Sequence, residues 1–209
     1  MTKKEYTLEV GGKQITAIFS DLVDQANSVI MSCGETRVLV TAVMSKEKSQ
    51  TDWFNLTVDY IEKFYASGKI GGGRFMKREG KPTDEAVLAG RVIDRTLRPL
   101  FNQQMEYGVQ IIATVLALDE SIDPGILAVN GASLALHTSE IPWAGPIGAV
   151  RLIERNGESI FNPSLKSRGE GFEYDLIVCG KEDNINMIEA VAYQIPENII
   201  AEALGKAEV

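Results

Sequence analysis

Pro82-Thr83-Asp84-Glu85-Ala86-Val87-Leu88-Ala89-Gly90-Arg91-Val92-Ile93-Asp94-Arg95-Thr96-Leu97-Arg98-Pro99 is the stretch on which the fold turns. A proline suits the first turn of a helix, and two acids favour its positive end. Val87, Leu88, Val92, Ile93 and Leu97 keep helical spacing until Pro99 ends the run. This helix lies between two segments of another kind. Before it stands Leu56-Thr57-Val58-Asp59-Tyr60, which alternates as a strand does. After it stands Val109-Gln110-Ile111-Ile112-Ala113-Thr114-Val115-Leu116, an apolar run of strand length.

Further out, the first sixty residues read as β structure. Tyr6–Val10 and Gln14–Phe19 flank Gly11-Gly12, and Ser28–Cys33 and Thr36–Val43 flank Gly34-Glu35, both hairpin signals. Beyond the central strand, Ile126–His137 reads as a helix of small residues, with Gly131-Ala132-Ser133 allowing close packing. Ile147–Ile153 and Ser159–Phe161 flank Asn156-Gly157, a third hairpin. Asp175–Gly180 and Ile185–Ala192 are further strands. Pro196 opens a last helix still running at Val209, which makes the chain look like a piece of a longer one. Strands and helices mix without strict alternation, which predicts one α+β domain with mixed sheets and two principal helices.

Composition bounds the function. The 209 residues are 44% hydrophobic and 24% charged, which excludes disorder, collagen and low complexity. No run reaches the ~18 to 20 apolar residues of a membrane span, and no apolar stretch follows the basic N-terminus, so a cytoplasmic protein is expected. Cys33 and Cys179 lie far apart in apolar runs and read as buried free thiols. The net charge of −8 argues against a general nucleic-acid coat. Residues 62–98 run the other way, with nine basic side chains against five acidic, while the rest holds twelve against twenty-four. A basic island in an acidic chain points to a local anion site.

That island contains Gly68-Lys69-Ile70-Gly71-Gly72-Gly73-Arg74-Phe75-Met76-Lys77-Arg78-Glu79-Gly80-Lys81. An aromatic among cations offers a stacking face for a base and charges for phosphates, the needs of a single strand. The helix adds Arg91, Arg95 and Arg98 at i/i+4 and i/i+3 spacing, on one face. The alternative for each arginine is an ion pair with Glu79, Asp84, Glu85 or Asp94. A phosphate-binding P-loop is excluded, because no glycine run continues into Gly-Lys-Ser/Thr. Asp119, Glu120 and Asp123 cluster after a strand and could hold a metal, but Pro124-Gly125 makes a solvated turn the expected reading. His137, late in its helix, reads as a capping or core histidine. No nucleophile has a base near it in sequence.

These residues resemble those of bacterial polynucleotide phosphorylases. The resemblance rests on Gly68-Lys69-Ile70, the glycine-rich loop with Phe75, Lys77–Pro82, and Arg91-Val92-Ile93-Asp94-Arg95-Thr96-Leu97-Arg98-Pro99-Leu100-Phe101. It extends through Val109–Leu116, Asn130–Leu136, Ile141–Gly148 and Asp175–Gly180, from about residue 8 onward. It implies a ribonuclease PH-like (ribosomal protein S5 domain 2-like) fold over 1–209, with the last helix, 196–209, truncated. It also implies that a second, catalytic copy and the KH and S1 modules lie outside this chain. The family's reaction is phosphorolysis: inorganic phosphate attacks the 3′-terminal phosphodiester of RNA and releases nucleoside diphosphates, with Mg²⁺ assisting, in a homotrimeric ring that can join an RNA-degradation complex.

In the family, catalysis belongs to the second copy. Catalytic copies have two metal-binding aspartates six positions apart; here Asp175 is paired with Gly169. They also have a phosphate-binding serine run; here it is Asp123-Pro124-Gly125. The resemblance therefore implies no catalytic residue and no metal in this chain. It implies that Phe75, Met76, Lys77, Arg78, Lys81, Arg91, Arg95 and Arg98 guide single-stranded RNA. The loop is one residue longer than the family's, with Met76 in the second aromatic place, and Asp21 and Asp24 stand where arginines are usual. Two rival readings are a standalone ribonuclease PH-type exoribonuclease and a non-enzymatic ring scaffold.

Overall fold

The computed structural model describes residues 3–21, 23, 25–70, 80–169, 171–182 and 184–207. It contains two sheets. The first begins with a four-strand antiparallel meander: β1 (Lys3–Val10), β2 (Lys13–Ser20), β3 (Asn27–Cys33) and β4 (Thr36–Lys48). Gly11 and Gly12, both with φ above +50°, make the first turn without the clash a Cβ would bring. β5 (Leu56–Ile61) does not continue the meander. The chain crosses through a short 3₁₀ turn and α1 (Asp84–Leu97) and returns as β6 (Tyr107–Ala117) between β4 and β5. β6 runs antiparallel to β4 and parallel to β5, so Leu56 faces Val109 and Tyr60 faces Ala113. A parallel neighbour requires such a crossover, and α1 supplies it.

The second sheet is antiparallel, in the order β10, β9, β7, β8, from β7 (Gly148–Arg155), β8 (Glu158–Phe161), β9 (Tyr174–Lys181) and β10 (Asn184–Ala192). α2 (Pro124–His137) lies between the sheets. Ile126, Leu127, Ala128, Val129, Ala132, Ala135 and Leu136 are almost wholly buried, which explains why this helix is apolar all round. Its small residues let it approach β3 and β4: a Cβ on Gly131 would stand 2.7 Å from Val40 Cγ2 and 2.9 Å from Met31 Cγ. On the other side Asn130 binds the β7 backbone twice, donating to Ala149 O at 2.9 Å and accepting from Ala149 N at 3.0 Å. Ser133 accepts from Ile147 N at 2.9 Å. α3 (Glu197–Ala207) covers a smaller cluster of Leu152, Tyr174, Leu176 and Val178 with Ala203. The architecture is thus α+β with one mixed and one antiparallel sheet, and α3 makes a third helix beside the two principal ones.

Candidate nucleic-acid interface

α1 is defined at both ends by its sequence. Thr83 caps it, its hydroxyl accepting from Ala86 N at 3.0 Å, and Asp84 and Glu85 occupy the first turn. Ala86, Gly90, Val92, Ile93, Thr96 and Leu97 are buried on its inner side. The outer side carries Asp84, Val87, Leu88, Arg91 and Arg95, all exposed. Arg91 and Arg95 stand one turn apart, and neither forms an ion pair with any described residue. Lys81, just before the helix, is exposed as well.

Arg98 differs. Past Leu97 the chain tightens into a 3₁₀ turn, Arg98–Leu100. The Arg98 guanidinium donates to both carboxylate oxygens of Asp94, at 2.9 and 2.5 Å, and to Leu56 O at 3.2 Å. For this arginine the ion-pair alternative is the one found. It ties α1 to the first residue of β5 and is not presented beside Arg91 and Arg95. Phe75, Met76, Lys77 and Arg78 lie outside the described residues.

Of the acidic residues after β6, Glu120 is exposed as a solvated turn would have it, while Asp119 and Asp123 are held by specific partners. Asp119 accepts from Thr36 Oγ1 at 2.6 Å, Glu35 N at 2.7 Å and Ser121 N at 2.9 Å, clamping the β3–β4 hairpin to the end of β6. Burial alone would raise its carboxyl, but the hydrogen bonds from Ser121, Thr36 and the backbone outweigh it and hold the group well below the usual carboxylate range. Asp123 caps α2, accepting from Gly125 N at 2.8 Å. Its other oxygen accepts from Arg151 Nη1 at 2.5 Å and Arg168 Nη1 at 3.1 Å. Arg151 also donates from Nε and Nη2 to the two oxygens of Asp175, each at 2.7 Å. Two arginines and two aspartates thus neutralise one another between α2, β7 and β9. Burial opposes the charge on Arg151, but the Asp175 and Asp123 carboxylates overcome it and raise its pKa. Burial and the neighbouring Arg151 lower that of Arg168.

This quartet bears on metal binding. Both Asp175 oxygens face a guanidinium, so the residues do not fit a divalent ion. Among the described residues no three His, Cys, Asp or Glu side chains gather to hold one. Arg151 escaped the sequence reading, although a charge amid Ala149, Val150, Leu152 and Ile153 is the signal that could have found it. Arg168 sits in an irregular segment and gave no such signal. Cys33 and Cys179 are buried free thiols, as expected. His137 is exposed at the C-terminal end of α2, so it is not a core residue. No described helix is long and apolar enough to cross a membrane.

Two sheets around a buried small-residue helix, with a parallel crossover at one edge, define the ribonuclease PH-like fold class. Within that class, the chain belongs to the 3′ exoribonuclease family, domain 1, which matches residues 12–142. It is 44% identical over 204 residues to the polyribonucleotide nucleotidyltransferase of Exiguobacterium sibiricum, covering 97% of this chain and 27% of that protein. It is 44% identical over 205 residues to the polyribonucleotide nucleotidyltransferase of Microcystis aeruginosa, covering 98% of this chain and 28% of that protein. The chain therefore spans little more than a quarter of the length of these relatives. Among solved structures, rice Rrp46 superposes with a TM-score of 0.71 at 13% identity, covering 92% of this chain and 86% of that one. The Archaeoglobus fulgidus exosome with RNA bound to the active site gives 0.68 at 16% identity, covering 98% and 83%. Both share the fold.

Proposed function

We propose that this chain is the first ribonuclease PH-like domain of a phosphorolytic 3′-to-5′ exoribonuclease, and that it guides single-stranded RNA. The observation that carries this reading is the exposed Arg91–Arg95 ridge on α1, within a basic stretch, residues 62–98, that also holds exposed Lys81, in a chain that is otherwise acidic. Lys77 and Arg78 add phosphate contacts and Phe75 a stacking face. Met76 follows Phe75 in the sequence as a second apolar residue of the loop. Arg98 supports the ridge from beneath by holding α1 to β5. The chemistry belongs to a second domain, where Mg²⁺ assists the attack of inorganic phosphate and nucleoside diphosphates leave. In this chain the quartet of Asp123, Arg151, Arg168 and Asp175 stands in place of a metal and phosphate site.

The whole enzyme works as a homotrimeric ring in the cytoplasm, degrading mRNA alone or within an RNA-degradation complex. The test is fluorescence anisotropy with labelled oligo(A), paired with an assay for nucleoside diphosphate release. This chain should bind RNA and release no diphosphate in the presence of Mg²⁺ and phosphate. Release that is abolished by Asp175→Asn would replace this reading with a standalone exoribonuclease.

A further inference from the structure

β1 has an apolar face and a polar one: Tyr6, Leu8 and Val10 alternate with Glu5, Thr7 and Glu9. Its register sets Tyr6 opposite Ala17 and Leu8 opposite Ile15, and opposite residues of an antiparallel pair share a face. Ala17 and Ile15 are buried in the core. Tyr6 and Leu8, on that same face, are 61% and 68% exposed. An alternating strand normally turns its apolar side to a packed core, so this face lacks a cover.

The cover has a place. A slot of about 1020 Å³ runs from this face to Leu134 of α2, Val150 of β7, Val178 of β9 and Ile185 of β10. Most of its polar groups are already committed. Asn130 and Ser133 bind the backbone of β7 and of the residue just before it. Thr138 donates to Leu134 O, and Thr7 pairs with Thr16. Lys4, Glu182 and Asn184, the rest, are exposed. A small-molecule site needs a few polar groups that converge on its ligand, whereas this lining suits the apolar side of a polypeptide segment.

α3 indicates which segment. Ile199, Ile200, Ala203, Leu204 and Ala207 form its inner stripe, packed on the cluster of Leu152, Leu176 and Val178. Ala207 also lines the slot. The next step of the stripe, three or four residues on, falls there. The relatives have chain to supply it, since this chain covers only 27% of the Exiguobacterium sibiricum protein. We infer that the polypeptide following Val209 continues as an amphipathic helix and lies in this slot, its apolar side against Tyr6, Leu8, Val150 and Ile185. So placed, it ties β1 to the second sheet. The inference rests on the reading of this chain as the first domain of a longer enzyme, and it is independent of how that domain meets RNA.

Thiol labelling of a Leu8→Cys variant tests the slot, because Cys33 and Cys179 are buried. Three forms are compared: residues 1–209, the same chain continued by about twenty residues of its own reading frame, enough for a helix of ~30 Å, and the full-length protein. The Leu8→Cys thiol should react at once in residues 1–209 and lose that fast reaction in the continued chain. Leu88→Cys, on the outer side of α1, should stay fast in both. An apolar dye such as anilinonaphthalene sulfonate, which needs no substitution, should bind the wild-type shorter chain and be lost from the continued one. Fast labelling and dye binding in both would overturn the inference. Protection within residues 1–209 that grows with protein concentration would overturn it in favour of a second copy. Protection confined to the full-length protein would overturn it in favour of another domain. In these three cases the first-domain reading stands, provided that the full-length protein releases nucleoside diphosphates and residues 1–209 do not. A reading frame that stops at Val209 would reject both.

Discussion

Arg151 and Asp175 face each other across β7 and β9 with two parallel hydrogen bonds of 2.7 Å each. Their side chains are only 11% and 6% exposed. A pair so placed is stabilising only while both members are present, because each has given up its water. Arg151→Met leaves Asp175 and Asp123 short of a cation and should cost about 3–5 kcal/mol in urea unfolding. Replacing Arg151 and Asp175 together by apolar residues of similar volume should cost much less than either single change. A double variant as unstable as the worse single one would mean that the pair contributes through shape and not through charge.

Glycine-to-alanine changes in two helices should have unlike effects. In α3 a Cβ on Gly205 meets nothing within 4 Å, so Gly205→Ala should stabilise by up to about 1 kcal/mol through helix propensity alone. In α2 the same change at Gly131 drives a methyl group against Val40 and Met31, and overpacking of this kind costs about 1–3 kcal/mol. The propensity gain is then cancelled or exceeded. Thermal unfolding of the two variants side by side checks the contrast, and a more stable Gly131→Ala would show that α2 can move away from the first sheet.

The Asp119 clamp should leave a mark on acid stability. A carboxyl held below its unfolded value of about 3.9 stabilises the fold fully above that pH, and the benefit fades as pH falls through the lower folded value. The stability difference between wild type and Asp119→Asn should therefore be largest at neutral pH and shrink below about pH 4. A difference that stays constant down to the acid limit would remove the charge from the explanation.

Burial pushes the Cys179 thiol up to about 11 and also raises Cys33. Neither thiolate is populated near neutrality, and neither sulfur is accessible. A thiol reagent at pH 8 should label both cysteines only after unfolding. Fast labelling of the native chain would mean that the second sheet opens locally around Cys179.

Local chemistry made most elements readable. The paired glycines, Asn156-Gly157, the acids Asp84 and Glu85 and Pro99 act on neighbours in sequence, and the structure places turns and helix ends at or beside each, though Pro82 lies one residue before the Thr83 cap and not in the first turn. The parallel pairing of β5 with β6 was beyond reach, since Leu56 and Val109 meet only after an entire crossover. The quartet was hidden for the same reason. Asp-Pro-Gly reads as a turn but begins a helix, with Pro124 and Gly125 in its first turn, and what Asp123 binds comes from Arg151 and Arg168, far along the chain. The basic island was legible because charge density is local. The fate of each arginine was not, because Asp94 stands three residues from Arg91 as well as four from Arg98, and the added bond to Leu56 O that favours Arg98 comes from across the crossover.

That difference yields the sharpest test of the interface. Each phosphate contact made by a cation releases condensed counterions, with a slope near −0.7 per neutralised phosphate for a single strand. Arg91 and Arg95 are exposed and without acidic partners among the described residues, so their double alanine variant should weaken oligo(A) binding and flatten the log–log salt plot by about 1.4. Losing Lys77 and Arg78 together should flatten it by a similar amount. Phe75→Ala removes a stacking face worth about 1–3 kcal/mol but no charge, so affinity should fall with the slope unchanged. Arg98→Ala should behave in a third way. Its guanidinium is already shared between Asp94 and Leu56 O, so the slope should change little, while chemical unfolding should report a weaker fold. Wild-type affinity and slope in the Arg91/Arg95 variant would make the ridge a solvated helix face and leave the scaffold reading in its place.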